Sequence, residues 1–380
     1  MARHPIVNSI YDVLLVMGFE GSYILDIEED IGVLKVNIKL PKHADLDDMK
    51  GIMDNLKMEL GAIDYKIGEV KGKRVQLLFG MSELNRIDVT NDNINEYVSR
   101  GTLKVKLVSS FGDKVLDFED GASCHMLNGG TTRMGKTSLL LYMCTVLYVN
   151  MDGDMRLNIV SSKITDFYPF EGMEGVTFCD NEMDMIIMLD NAIKEYKRRG
   201  QMLKGLRGAT DSKRVRKLYP DMYAHFKPFF IIIDEYADYS MNKQIQNMVQ
   251  DLVRKSGYVN VHLIIATQRP DAKTTVPPSI KGNLNARICF STTDKNNSNI
   301  ILDKDGAEDL GKIEGRAIYL DGEFNIVQVP FLDVVDCDEI LKPYQKEIDT
   351  NEQSRERQED NQVVDKIQNL FSESDSENHI

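Results

Sequence analysis

Apolar and polar residues alternate in the stretch VLKVNIKL, residues 33–40, and this alternation predicts a half-buried strand. Asp45 then precedes a segment whose apolar residues recur at helical spacing as far as Gly61. An aspartate before such a segment and a glycine after it predict where a helix begins and ends. The next stretch, YKIGEVKGKRVQLLFG, has the pattern of a hairpin. We therefore predict a small α+β module over residues 1–100.

From residue 101 onward, the chain repeats an apolar strand, a turn and an amphipathic helix. This repetition is typical of a mainly parallel sheet covered by helices. The runs at 229–233 and 261–266 are apolar at nearly every position, as expected for strands that are buried on both faces. We predict an α/β domain over residues 101–344.

The last stretch of the chain, residues 345–380, is acidic. It contains ten Asp or Glu against four Lys or Arg, so it carries −6 of the net charge of −14. Its few apolar residues cannot offset the conformational entropy lost on ordering, so we predict that this tail is disordered.

The composition, 380 residues of which 42% are hydrophobic, indicates a globular protein with a substantial core. The apolar run at 139–149 is far shorter than the ~20 residues that span a bilayer, and the N-terminus lacks an export signal pattern. We predict no membrane anchor and a cytoplasmic location. The five cysteines are odd in number and scattered through apolar runs, which favours reduced core thiols over disulfides or a metal site.

One segment, residues 194–217, runs against the acidic balance of the chain. It holds ten Lys or Arg against Glu195 and Asp211, a local excess of +8. Two interpretations are open at this point. The segment is either a solvated helix face followed by a loop, or a surface that contacts phosphates.

The stretch GTTRMGKT, residues 130–137, matches the phosphate-binding pattern GxxxxGK[ST] between a predicted strand and a leucine-rich helix. The backbone N–H groups of such a loop and the positive end of the helix dipole bind phosphates. We predict that Lys136 binds the β- and γ-phosphates of ATP and that the Thr137 hydroxyl ligates Mg²⁺. The predicted nucleotide-binding residues are Gly130, Thr131, Thr132, Arg133, Met134, Gly135, Lys136, Thr137 and Ser138.

A second motif, KPFFIIIDEYADY, weighs against a chance glycine turn. Asp234 and Glu235 follow its apolar run, at the end of the strand where α/β sheets bind ligands. We predict that Asp234 holds the Mg²⁺ through water and that Glu235 orients and deprotonates the attacking water. Gln268 follows the next apolar run, in HLIIATQRP, and is placed to sense the γ-phosphate or its water.

These motifs, together with ARICF and ILDKDGAEDLGKIEGRAIYL within 286–320, resemble the motor domain of the FtsK/SpoIIIE family of double-stranded DNA translocases. The resemblance covers residues 101–332, within the wider HerA/FtsK superfamily. It implies a RecA-like fold, a ring of six subunits with ATP sites at the subunit interfaces, and DNA in the pore. It also implies that Lys136, Thr137, Asp234, Glu235 and Gln268 take the roles given above.

The sequence departs from the family pattern at three places. Arg133 and Met134 stand where the family loop commonly has Gly-Ser, and Ser161 stands where an acidic residue is usual. Asn299 replaces the arginine that often precedes the apolar ILD. The arginine that reaches a neighbouring subunit's ATP must then lie elsewhere, and Arg287 and Arg254 are the candidates; Arg287 is our assignment.

From this sequence we expect neither a membrane-spanning segment before the motor nor a winged-helix module after it, although both are features of the family. The architecture resembles the soluble motors of conjugative elements, plasmids and phages of Gram-positive bacteria. We predict an ATP-driven DNA translocase or coupling ATPase of this kind, with a relaxase, transfer or packaging partner. A protein-pumping ATPase of the same superfamily and a non-hydrolysing, nucleotide-gated scaffold are the alternatives.

Overall fold

The computed structural model describes residues 5–30, 32–121, 123–268 and 276–345. The first part is a four-stranded antiparallel sheet in the order β1-β2-β4-β3 with two helices packed against it. Its elements are α1 (Pro5–Val16), β1 (Tyr23–Asp30), β2 (Val33–Lys39), α2 (Leu46–Leu60), β3 (Asp64–Lys71) and β4 (Arg74–Gly80). The predicted strand at 33–40 and the predicted hairpin are confirmed.

The helix α2 begins and ends where the sequence predicts. The Asp45 carboxylate accepts hydrogen bonds from the N–H groups of Asp47 and Asp48, and the Asp48 side chain accepts one from the Asp45 N–H in return. Gly61 ends the helix with φ 64°, a left-handed conformation that glycine adopts without steric cost. Met49, Ile52, Met53 and Leu56 form the buried face of the helix.

The core of this module ends before the predicted boundary at residue 100. Its hydrophobic cluster reaches Met81, whereas Val89, Ile94 and Tyr97 pack into the core of the following domain. The Val89 N–H donates to the Phe331 carbonyl oxygen at 2.8 Å, which ties this segment to the far end of the α/β domain. The tail predicted to be disordered lies outside the described residues, except for Gln345.

The second part is built on an eight-stranded sheet in the order β14-β13-β12-β7-β11-β10-β8-β9. Its strands are β7 (Met126–Gly129), β8 (Arg156–Val160), β9 (Val176–Cys179), β10 (Phe229–Ile233), β11 (Val261–Thr267), β12 (Ala286–Phe290), β13 (Arg316–Leu320) and β14 (Phe324–Gln328). A separate hairpin comprises β5 (Lys104–Leu107) and β6 (Lys114–Asp117). The strands from β12 to β9 in the sheet order pair in parallel, and β13 and β14 join antiparallel at one edge. The predicted α/β class with a mainly parallel sheet is confirmed.

Helices cover both faces of this sheet. They are α3 (Lys136–Asn150), α4 (Glu182–Gly205), α5 (Ser212–Leu218), α6 (Lys243–Lys255), α7 (Pro278–Lys281), α8 (Lys295–Leu302) and α9 (Val334–Leu341). Phe230 and Ile232 of β10 face the cluster that contains α3 and α9, while Phe229 and Ile231 face the cluster that contains α4 and α6. The uninterrupted apolar run of β10 follows from this burial on both faces.

Two predictions drawn from composition can be compared with the described residues. None of the helices described is long and apolar enough to cross a bilayer. The five cysteines are free thiols, and four of them are buried. Across the described ranges no group of three or more His, Cys, Asp or Glu side chains is placed to hold a metal ion.

Candidate active site

The sheet brings the predicted site residues to one edge. β7, β11 and β10 are neighbours and run in parallel, with Gly129 opposite Thr267 and Ile265 opposite Ile233. Their C-terminal ends therefore lie side by side. The glycine loop follows β7, the acidic pair follows β10 and Gln268 follows β11, so the three motifs meet although they are far apart in the chain.

Backbone geometry explains the glycines of the loop. Gly130 has φ 139° and Gly135 has φ 112°, both in the region that side chains disfavour. A Cβ on Gly130 would lie 2.7 Å from the Cβ of Phe290 and 3.1 Å from its backbone. Arg133 also has a positive φ, of 63°, which is uncommon for a residue other than glycine. This loop therefore holds its shape at some backbone cost.

Residues much later in the chain brace the loop. The Thr131 N–H and hydroxyl both donate to the Ser291 carbonyl oxygen, at 3.0 and 2.9 Å. The Gly315 N–H donates to the Met134 carbonyl oxygen at 3.0 Å. The loop is thus held between the ends of β12 and β13, while Thr132 and Arg133 are exposed at its tip.

Lys136 is almost completely buried inside the loop. Its ammonium donates to the carbonyl oxygens of Gly130 at 2.7 Å and Thr131 at 2.5 Å. Burial lowers the pKa of Lys136 to about 8, although the carboxylates of Glu235 and Asp234 act in the opposite direction. The two carboxylates are therefore close enough to influence this ammonium.

The N-terminus of α3 has no side-chain cap. Gly135 is the N-cap residue, and it has no side chain that could accept a hydrogen bond from the first turn of the helix. These N–H groups, including those of Thr137 and Ser138, have no partner within the helix and can bind an anion. The Ser138 hydroxyl donates to the Leu332 carbonyl oxygen at 3.3 Å and so braces the helix against a later segment.

Asp234 is 7% exposed, and burial raises the pKa of its carboxyl group. The Ser161 hydroxyl, at the end of β8, donates to Asp234 Oδ2 at 3.0 Å. The Lys163 N–H in turn donates to the Ser161 oxygen at 3.0 Å. Ser161 thus orients Asp234 without adding a negative charge beside it, a role that the sequence analysis missed. A small polar residue directly after a buried strand was the available signal.

Glu235 is half-buried, and burial raises the pKa of its carboxyl group while three hydrogen bonds lower it. Oε1 accepts from the Ala237 N–H at 3.3 Å and from the Thr267 hydroxyl at 3.0 Å. Oε2 accepts from the Gln268 N–H at 2.8 Å. The structure therefore joins Gln268 to Glu235 through its backbone, and it adds Thr267, which was not among the predicted site residues.

Arg287 is 8% exposed on β12. Its guanidinium donates to the carbonyl oxygens of Leu284 at 2.8 Å and Ile301 at 3.1 Å, and it forms an ion pair with Asp303. These contacts lie within the same chain and brace α8 against the sheet. They do not favour a role at a neighbouring subunit's nucleotide, which stays a prediction. Arg254, the other candidate, is exposed near the end of α6.

The basic segment at 194–217 divides into buried and exposed cations. Arg199 is 1% exposed, pairs with Glu195 and donates to the carbonyl oxygens of Val259 and Asn260, so it belongs to the core and not to a solvated face. Arg216 is also held within the chain by contacts that include an ion pair with Glu119. The exposed cations include Lys197, Lys204, Arg207, Lys213, Arg214 and Lys217.

Comparison with known proteins supports the resemblance. No family model matches the chain. The DNA translocase FtsK of Leptospira interrogans is 24% identical over 362 residues, which cover 90% of this chain and 37% of that protein. The chain thus spans little more than a third of the length of this relative. The chain is similar to DNA translocases of the FtsK type over most of its length, in agreement with the resemblance that the motifs predicted.

Solved structures share the fold. The pCW3 conjugation coupling protein TcpA, in a monomer form with ATPγS, superposes with a TM-score of 0.63 at 19% identity, covering 90% of this chain and 99% of that chain. The cytoplasmic domain of the type VII secretion ATPase EccC from Thermomonospora curvata gives a TM-score of 0.56 at 17% identity, covering 65% of this chain and 32% of that chain. At these identities the likeness shows the fold alone, and the predicted fold class is confirmed.

Proposed function

We propose that this chain is a P-loop ATPase that hydrolyses ATP to translocate DNA. The observation that carries the proposal is the meeting of the Lys136 loop, the Asp234–Glu235 pair and Gln268 at the ends of the neighbouring parallel strands β7, β10 and β11. Such a constellation supplies a phosphate-binding loop, a metal ligand and a base in one place. Homology to proteins named DNA translocases supports DNA as the substrate.

The residues present fit ATP and Mg²⁺. A Cβ at Gly130 would meet Phe290, so the glycine allows the loop to pack closely against the end of β12. The first turn of α3 offers N–H groups without a side-chain cap, and such groups bind phosphates. Residues 130–138 would hold the phosphates, with the Lys136 ammonium as the charged donor. Thr137 and Asp234 would hold Mg²⁺, which neutralises charge on the phosphate oxygens. Glu235 would accept the proton of the attacking water.

We further propose that the DNA moved belongs to a conjugative element, a plasmid or a phage. Support comes from the fold shared with a conjugation coupling protein, whose structure superposes on 90% of this chain. A relaxase, transfer protein or packaging protein would be the partner that delivers the DNA. The action would take place in the cytoplasm.

The first test is ATP turnover by the purified chain with duplex DNA, with single-stranded DNA and without DNA. We expect Mg²⁺-dependent ATP hydrolysis that duplex DNA stimulates, because a DNA translocase couples ATP turnover to movement along DNA. Hydrolysis that is indifferent to DNA would instead favour a protein-pumping ATPase. Nucleotide binding without hydrolysis under every condition would favour a nucleotide-gated scaffold.

We propose that six copies form a ring when ATP or DNA is bound. The resemblance to ring-forming motors supports this assembly, and ligands that bind only the assembled state shift the equilibrium towards it. Sedimentation with a non-hydrolysable ATP analogue and duplex DNA is expected to show an oligomer that is absent without ligands. A monomer under both conditions would contradict the ring.

The exposed cations of α5 are the proposed DNA contact. Changing Lys213, Arg214 and Lys217 together to Gln is expected to weaken duplex binding and to flatten its salt dependence. Each lost phosphate contact lowers the slope of log affinity against log salt by about 0.9. Arg216 stays unchanged in this variant because it pairs with Glu119 and holds α5 in place.

A matched control removes the same charge from the small module. Lys42, Lys50 and Lys71 are exposed there, and their change to Gln is expected to leave the salt slope as in the wild type. An unchanged slope in the α5 variant would remove this helix from the DNA path, and the exposed face would then be a solvated one.

A further inference from the structure

Three donors already engage the carboxylate of Glu235. Thr267 and Ala237 donate to Oε1, and the Gln268 N–H donates to Oε2. A carboxylate offers about four acceptor positions, so these donors occupy most of them. A general base needs a lone pair directed at the water, within hydrogen-bond reach of its proton. Each of the three donors within the chain therefore competes with the water molecule for a lone pair of Glu235.

Strand register explains why these particular donors reach Glu235. Ile233 of β10 lies opposite Ile265 of β11, so two residues further along Glu235 follows β10 where Thr267 ends β11. Thr267 is completely buried, and its β-branched side chain has few rotamers. The hydroxyl is therefore held in place by the sheet itself.

Two different strands hold the two carboxylates. Ser161, at the end of β8, donates to Asp234. Thr267 and the Gln268 backbone, at the end of β11, donate to Glu235. A displacement of the end of β11 would remove two donors from Glu235 and leave the Asp234 contact intact. The orientation of Glu235, the proposed base, can thus change without a change at Asp234, the proposed metal ligand.

We propose that Thr267 is a positioning residue that holds Glu235 in a resting arrangement, from which the carboxylate is released when the site hydrolyses ATP. This inference rests on the proposed function, because it assigns Glu235 as the base. In the resting arrangement the Thr267 hydroxyl and the Gln268 N–H occupy both carboxylate oxygens. In the released arrangement the lone pairs that Thr267 and the Gln268 N–H engage become free for water.

The change Thr267→Val removes the donor and keeps the shape of the side chain. Loss of one hydrogen bond from the resting arrangement is expected to raise DNA-free turnover about fivefold with the KM for ATP unchanged. The ratio of DNA-stimulated to DNA-free turnover falls accordingly. Thr267→Ser restores the donor and is expected to return both quantities towards the wild type. DNA-free turnover at or below the wild-type level in Thr267→Val, with ATP affinity retained, overturns the proposal.

Hydrogen exchange provides a second measurement that does not require turnover. The Gln268 amide is expected to exchange slowly in the nucleotide-free wild type and several-fold faster in Glu235→Ala, because its acceptor is the Glu235 side chain. Equal exchange rates of the Gln268 amide in the two proteins would overturn the proposal that this amide holds Glu235 in a resting arrangement. A wild-type chain that hydrolyses no ATP but shows the expected exchange difference would contradict the proposed function and leave the contact established.

Discussion

Replacing Glu235 by Gln is expected to lower ATP turnover by about 100-fold or more while ATP affinity stays near the wild-type value. The amide keeps the size of the side chain and an oxygen that can accept the Thr267 hydrogen bond, but it cannot take a proton from water. General base catalysis typically contributes 10²–10⁴-fold. Steady-state turnover and equilibrium binding of a labelled nucleotide measure the two effects.

Glu171→Gln is a matched control for this variant, because Glu171 is exposed and the change removes the same charge. Its turnover is expected to equal that of the wild type. Turnover at the wild-type level in Glu235→Gln would exclude Glu235 as the base, and the proposed mechanism would be wrong.

Replacing Lys136 by Ala is expected to abolish measurable nucleotide binding. The change removes the buried ammonium that would bind the phosphates, and it also removes the two hydrogen bonds that join Lys136 to the carbonyl oxygens of Gly130 and Thr131. Both losses affect the proposed phosphate-binding loop. They are expected to be large because hydrogen bonds from a charged group contribute more to stability than hydrogen bonds between neutral groups. Titration calorimetry with an ATP analogue measures the affinity.

Lys312 supplies the control for the lost charge, since it is exposed and Lys312→Ala is expected to bind nucleotide as the wild type does. Thermal unfolding of Lys136→Ala establishes that the variant is folded. Retained affinity in a folded Lys136→Ala protein would show that the loop is not the phosphate site.

The sequence predicted those parts of the fold that depend on local patterns. The helix between Asp45 and Gly61 was predictable because a capping side chain and a positive-φ glycine act on adjacent residues. The glycine loop was predictable for the same reason, since its pattern lies within eight consecutive residues. The position of Asp234 and Glu235 directly after a buried strand was predictable from the apolar run before them. Their roles in catalysis stay predictions.

Contacts that depend on strand order escaped the sequence analysis. Ser161 meets Asp234 only because β8 lies beside β10, and Thr267 meets Glu235 only because β11 lies on the other side of β10. Arg199 looked like one more surface cation, since the spacing of charges does not reveal that Val259 and Asn260 lie against that side of α4. Tertiary packing decides such contacts.

The bracing of the glycine loop has a consequence for synthesis of the chain. Thr131 bonds to a carbonyl oxygen 160 residues later, and Met134 bonds to Gly315. A ribosome makes the loop long before it makes these partners, and contacts so distant in sequence form late. We expect nascent chains to gain nucleotide affinity only after β13 has emerged, which stalled chains of increasing length would reveal. Unfinished chains would then bind no ATP. If ATP is needed for the proposed ring, only nearly complete chains could join it.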